Sequence, residues 1–440
     1  MRQKLNIQLP LAVLPSKHPR AIVFEKISRI IDDNPIFVEL LWQDLKKGKE
    51  DRGCHGLTAE QILRCCVLKH LEQLSYEDLM FLLHEVPLYQ SFCRIGIGGR
   101  IPSRSAVAEG IKSVRPETWE EINTSLRRYA AAEGVENGRE VRGDCTVAET
   151  NILEPSDSQL LYDCVRVLTR MMKQIGCAGY HDRTRSAKRR MNEIRNSRGA
   201  KKRRGRYEVL MRITGEVIGY ARTATEEILA GNYPDAPKST ACCLSRFIGL
   251  AEGVIDQTMR RVVYGETVPA SEKIVSIFEP HTDIIVKDSR DTHYGHKVYI
   301  TAGKTNLVLD CVVLEGNPAD STLPVKMLER QKELYGRAPL KAAFDGGFAS
   351  KDNLPDIKTL GVKDVCFSKR RGIDIEDMCR SKHVYRRLWR FRTGVESIIS
   401  WLKRCLSLSR CLWRSFGSFK SYVQSSVFSA NLATTALLLA

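Results

Sequence analysis

Residues 138–152, GREVRGDCTVAETNI, break the pattern of everything before them. The preceding chain carries apolar residues at helical spacing, whereas this stretch mixes β-branched Val141, Thr146, Val147 and Thr150 with turn residues. It predicts a strand around 140–147 that carries Asp144.

Upstream, residues 20–135 read as a string of helices. TAEQILRCCVLKHLEQL (58–74) opens on a threonine cap followed by Ile62, Leu63, Cys66, Leu68 and Leu71 at helical spacing, and SYEDLMFLLHEV (75–86) opens on a serine cap followed by acids. RIGIGGRIPSRS (94–105) is a glycine-rich turn before SAVAEGIKSV and PETWEEINTSLRRYAAAEG. Two readings stay open for this part: a helix-turn-helix that enters a DNA groove, or a helical bundle that touches none.

Downstream, helical periodicity returns from SDSQLLYDCVRVLTRMMKQI (156–175) to about residue 280, and this stretch contains the densest basic run, HDRTRSAKRRMNEIRNSRGAKKRRGRYEVL (181–210). TDIIVKDS (282–289), HKVYITAG (296–303) and NLVLDCVVLEG (306–316) then read as strands, ADSTLPVKMLERQKELYG (319–336) as a helix, and APLKAAFDGGFAS (338–350) as a buried strand stopped at Asp345-Gly346-Gly347. GVKDVCFSK (361–369) adds a strand, and helix is expected from 391 to the end, SSVFSANLATTALLLA being a packed terminal helix too short for a membrane span. Strands and helices in this order predict an α/β protein with a mixed sheet. Its segments are an N-terminal helical, DNA-binding region (1–135), a first core strand (136–156), a helical basic insertion (157–280) and the rest of the core (281–440).

The balance of 69 Lys and Arg against 52 Asp and Glu leaves +17, which makes nucleic acid the leading partner class and Lys201, Lys202, Arg203 and Arg204 a phosphate-tracking segment. Fourteen cysteines occur without any CxxC, which argues against zinc fingers and thioredoxin chemistry and for reduced thiols. The first twenty residues lack the continuous apolar core of an export signal. The expected location is the cytoplasm, at the nucleoid.

FRTGVESIISWLKR (391–404) has an apolar stripe of Val395, Ile398, Ile399 and Leu402, with Arg392, Glu396 and Lys403 within about 40° of one another along its edge. Glu396 is therefore either a solvated acid in basic company or a metal ligand that faces a polyanion. Metal-assisted phosphodiester chemistry needs carboxylates gathered from separate elements around hard divalent ions. Asp144, Asp345 and Glu396 are the acids that strand ends and a helix edge would expose, with Arg392 and Lys403 placed to hold phosphates. Each acid also has a plain reading, as a strand end, a turn or a surface ion pair. ITAGKTN (300–306) lacks the upstream glycine of a phosphate loop, RIGIGG lacks the third glycine of a dinucleotide fingerprint, and His293 and His296 near Asp288 and Asp291 read as structural or DNA-contacting.

Arg392, Glu396 and Lys403, with Trp389 where a tyrosine is usual, resemble the Tyr-(2)-Arg-(3)-Glu-(6)-Lys signature of bacterial insertion-sequence transposases of the DDE type. FDGGFAS, HYGHKVYI and EGNPADST are similar to further blocks of that family, and RGDCTVAETNILEPSDSQLLYDCVRVLTR to the first-Asp block of a group not assigned to a major insertion-sequence family. The resemblance implies an RNase H-like core with a long helical insertion and an N-terminal all-helical domain. It further implies catalytic, metal-binding Asp144, Asp345 and Glu396 on two Mg²⁺ ions, with Mn²⁺ as a substitute. The implied partners are the element's terminal inverted repeats and target DNA, met as a homodimer or higher oligomer, with no membrane. The rival functions are an RNase H-like DNA nuclease without transposition and a catalytically inert DNA-binding descendant of a transposase.

Overall fold

The computed structural model describes Lys4 and residues 17–46, 56–96, 99–287 and 291–439. Most of residues 1–16, the tip of the 94–105 turn and Asp288 lie outside the described residues. The chain divides into two compact units, one made of residues 1–149 with 296–440 and the other of residues 150–295.

Among its described residues the first unit begins with seven helices: α1 (Pro19–Asp33), α2 (Ile36–Lys46), α3 (Ala59–Leu71), α4 (Tyr76–Glu85), α5 (Pro87–Phe92), α6 (Arg104–Lys112) and α7 (Pro116–Ala132). Their starts follow from local chemistry. Thr58 and Gln61 form a reciprocal capping box at α3, Ser75 and Asp78 do the same at α4, and Ser103 caps α6.

Strand β1 (Glu140–Thr150) comes next. Beyond the second unit come β3 (Asp291–Ala302, shared between the units), β4 (Val308–Val313), β5 (Lys341–Phe344) and β6 (Asp364–Phe367), β2 (Asp283–Lys287) having preceded them. In the sheet β1 is flanked by β3 and β5, β6 lies beyond β5, and β4 pairs with β3. The β1–β5 and β5–β6 pairs are parallel and the β3–β4 pair is antiparallel. This is the expected α/β fold with a mixed sheet, its first strand in the centre and a helical N-terminal region. GKT belongs to the β3–β4 turn, where Glu136 accepts from the Thr305 N–H at 3.0 Å and its hydroxyl at 2.7 Å.

Helix is not continuous from 391 to the end. α15 (Lys382–Cys405) stops, Ser407 takes a left-handed φ of 60°, a two-residue strand β7 (Arg410–Cys411) pairs with β1, and α16 (Phe416–Leu438) follows. Burial of Leu406, Leu408, Cys411 and Trp413 compensates for the broken helix. α16 is packed almost all round: Phe428 meets Phe37 edge-on at 5.4 Å, and His70 Nε2 lies 3.0 Å from Ser425 Oγ. Asn431 both donates to and accepts from the Val308 backbone, and Gln424 donates to Cys311 O, so side-chain amides seal the β4 edge.

The second unit holds α8 (Asp157–Ile175), α9 (Thr184–Arg195), α10 (Ala200–Leu229) and α11 (Lys238–Thr258) around its own core of Leu161, Leu168, Leu210, Val217, Leu244 and Val254. Gly176 ends α8 at φ 76°, a conformation that a side chain would strain. At the ends of the unit, the Thr150 hydroxyl lies 3.0 Å from that of Thr282 and 3.3 Å from Tyr294 O. The remaining helices, α12 (Pro324–Tyr335), α13 (Asn353–Thr359) and α14 (Ile375–Met378), lie in the first unit. The thirteen described cysteines are free thiols, and no helix among the described residues is long and apolar enough to cross a membrane.

Candidate active site

The β1–β5 register ends at Gly143 opposite Phe344. Asp144 and Asp345 are the next residues on two parallel neighbours, so their backbones lie about one strand spacing apart, roughly 5 Å. Gly143 is required there, because a Cβ would collide with the Tyr299 hydroxyl. The Gly-Gly after Asp345 is explained by close approach as well: a Cβ on Gly346 would press into the Lys369 side chain, and one on Gly347 would sit 3.1 Å from Asp320 Oδ2.

Asp345 is half-buried. Burial alone would push its carboxyl up, but the Ser368 hydroxyl donating at 2.6 Å, the Gly346 N–H, Arg392 and Lys369 together hold it below the ordinary carboxylate range. It therefore stays ionised at neutral pH.

Glu396 enters from α15. Arg142 in β1 fixes that helix: its side chain is 5% exposed, stacks over the Phe391 ring at 4.6 Å and donates to Phe391 O at 2.8 Å and to Asn306 Oδ1. Gly394 lets the helix pass, since a Cβ at that position would collide with the Arg142 guanidinium. One turn away, Arg392 Nη1 lies 3.4 Å from Asp345 Oδ1 and Nη2 donates to Glu396 Oε1 at 2.8 Å. The Arg392 side chain is 12% exposed, and its Nε is buried without a hydrogen-bond partner.

Thus Asp144 and Asp345 adjoin through strand register, and Glu396 is tied to Asp345 through a guanidinium. Among the described residues, no three His, Cys, Asp or Glu side chains are grouped closely enough to hold one ion. Lys403 is half-buried two turns along α15 from Glu396, and Trp389 is 44% exposed on the same helix. Lys201, Lys202, Arg203 and Arg204 are exposed in the first turn of α10, in the other unit. His296 is a core residue packed on Phe416 and Phe419, with ring centroids 4.7 and 4.9 Å away.

Sequence reasoning missed three neighbours of these acids: Arg142, Gly394 and Asp320. Asp320 pairs with Lys297 Nζ at 3.0 Å and, after burial, is the main influence raising the thiol of Cys145, the residue next to Asp144. A glycine in the middle of an amphipathic helix, costly by about 1 kcal/mol relative to alanine, was the available signal for the Arg142 contact.

An α/β core with carboxylates at adjacent strand ends and a third on a packed helix is suited to divalent-ion chemistry on a polyanion. Residues 12–112 match the family model Transposase domain (DUF772), and residues 254–432 match Transposase DDE domain. Together the two matches place the chain among insertion-sequence transposases of the DDE type. Asp345 and Glu396 fall inside the second match, and Asp144 lies between the two. No curated protein and no solved structure matches the chain.

Proposed function

We propose that this DNA transposase binds the terminal inverted repeats of its own element, cleaves phosphodiester bonds with metal-activated water, and transfers the freed 3′-hydroxyl ends to target DNA. Asp144, Asp345 and Glu396 are the catalytic acids in this reading. What supports it above all is the adjacency of Asp144 and Asp345 in register, with Glu396 joined to Asp345 through Arg392.

The donor set suits Mg²⁺ or Mn²⁺, because it consists of hard carboxylate oxygens and Asp345 is held ionised. When bound, two such ions activate the attacking oxygen and stabilise the leaving one. The chain's own groups do the rest. Ser368 and Gly346 fix the Asp345 carboxylate, Arg142 sets the pitch of α15 at Glu396, and Arg392 and Lys403 hold phosphates beside the scissile bond, with Trp389 offering a stacking face. Lys201, Lys202, Arg203 and Arg204 contact the DNA backbone. Two element ends must meet for joining, so the active form is a homodimer or higher assembly on DNA.

The test uses purified full-length protein, Mg²⁺ and duplexes that carry the inverted repeats flanking the gene. Wild type is expected to cut and join these ends, and Asp345→Ala and Glu396→Gln to do neither. Undiminished cutting by either variant refutes the assignment of the acids. Cutting by wild type without dependence on the repeats and without joined products would favour a plain nuclease.

A further inference from the structure

Helix α9 turns Ala187, Met191 and Ile194 into the core of its unit. Its exposed side carries Arg185, Lys188, Arg189, Asn192 and Arg195, continued by Asn196 at its C-terminal cap. These positions recur every three or four residues, so they form one stripe along the helix. No acid lies on that stripe. Glu193, the helix's only acid, is half-buried and engaged by Arg190 at 2.6 Å and by Arg189 and Arg206 at 3.8 and 3.9 Å. Arg206 also donates to Glu193 O and Ser197 Oγ, which closes one side of an open cleft of 540 Å³ along the stripe.

Two features go beyond a solvated charged face. The side-chain amides of Asn192 and Asn196, one helical turn apart in the middle of this basic surface, have no partner within the described residues. Each offers a donor and an acceptor side by side, the pairing that matches adenine N7 and N6 in the major groove. Next, only residues 196–199 separate α9 from α10, whose first turn has Lys201, Lys202, Arg203 and Arg204, no acid and no side-chain cap. Arg203 donates to Ser197 O and Arg204 to Glu208, each at 3.1 Å, whereas Lys201 and Lys202 have no partner within the described residues; cations at the positive end of a 30-residue helix are unfavourable in isolation and become favourable when a phosphate sits there.

We propose that α9 is the base-reading helix of this transposase: it lies in the major groove of double-stranded DNA with Asn192 and Asn196 on base edges, while its flanking cations and the start of α10 grip the adjoining phosphates. The groove, about 12 Å wide, admits a helix with its side chains. A purely electrostatic surface would have no use for the amides. The assignment rests on the DNA-binding reading above and adds which helix reads sequence.

The experiment begins by selecting a preferred duplex from a randomised library with full-length wild-type protein. Affinities for that duplex and for a scrambled one are then measured across a salt series. N192A/N196A protein is expected to lose about tenfold to a hundredfold of the preference for the selected duplex, with its salt dependence unchanged. Lys188→Ala and Arg195→Ala are expected to weaken both duplexes alike and to lower the salt slope by about 0.9 per lost phosphate contact. All four side chains are exposed, so folding is not at risk. Unchanged preference in N192A/N196A protein overturns the assignment of α9 and leaves the cleavage proposal standing. Absence of any duplex affinity in wild type overturns both.

Discussion

Arg392 stands where its charge opposes the ions the site is proposed to bind, and replacing it by methionine isolates that effect. Methionine keeps most of the volume of a side chain that is 12% exposed, and the buried Nε has no hydrogen-bond partner to lose. The guanidinium pairs with Asp345 at 3.4 Å and with Glu396 at 2.8 Å, and those carboxylates are 45% and 61% exposed. Solvent screening at such exposure limits each pair to about 0.3–1 kcal/mol. A divalent ion that draws both acids together must displace both pairs, at a cost of about 0.6–2 kcal/mol. Arg392→Met protein without DNA is therefore expected to bind Mn²⁺ about threefold to thirtyfold more tightly than wild type, as read by electron paramagnetic resonance. Its DNA cleavage is expected to fall, because a phosphate grip is gone. Unchanged Mn²⁺ affinity would mean that Arg392 does not oppose the ion. Weaker affinity would mean that it organises the acids instead, and either outcome overturns the opposing role of Arg392.

Two further outcomes follow from packing. Burial, then Lys69, depresses the His70 imidazole to about 3, below its unfolded value near 6.5, so its stabilising contribution is whole above pH 6.5 and is lost as pH falls toward 3. At about pH 5 the loss reaches about 2 kcal/mol, and urea unfolding at neutral pH and at pH 5 should show His70→Gln protein losing that much less than wild type; parallel losses would refute the assignment. Gly394→Ala gains about 1 kcal/mol of helix propensity but must displace the buried Arg142 guanidinium from Phe391 O, worth about 1.5–3 kcal/mol, so a net destabilisation of about 0.5–2 kcal/mol is expected in thermal unfolding, and a stabilised variant would contradict the contact.

The helix caps at Thr58 and Ser75 and the six strands β1 to β6 were legible because each is a local pattern: a capping residue before an apolar stripe, or a short apolar or β-branched run bounded by turn or polar residues. The break after α15 was not. It depends on a left-handed serine and a two-residue strand, too short to carry periodicity and held only by pairing with β1. The same divide runs through the candidate site. Helical spacing placed Arg392 beside Glu396, and the structure contains that pair. The Arg392–Asp345 pair and the adjacency of Asp144 with Asp345 come from tertiary register, which no local spacing encodes. Asp320 was invisible for a similar reason, since its neighbours Lys297, Cys145 and Gly347 converge from three separate segments.

Thr150 and Tyr294 hold the two ends of the inserted unit within hydrogen-bonding reach of each other. From the standpoint of the sheet, then, residues 150–295 are kinetically a tight hairpin connection. A floppy linker of that length would cost about 3 kcal/mol more to close than a turn of about five residues. A compact unit with its own core that returns its chain where it left removes that entropic burden once formed, so β1 and β3 can pair as if they were sequence neighbours. Lineages could enlarge, trim or exchange this module with little disturbance to the folding of the sheet that spans it.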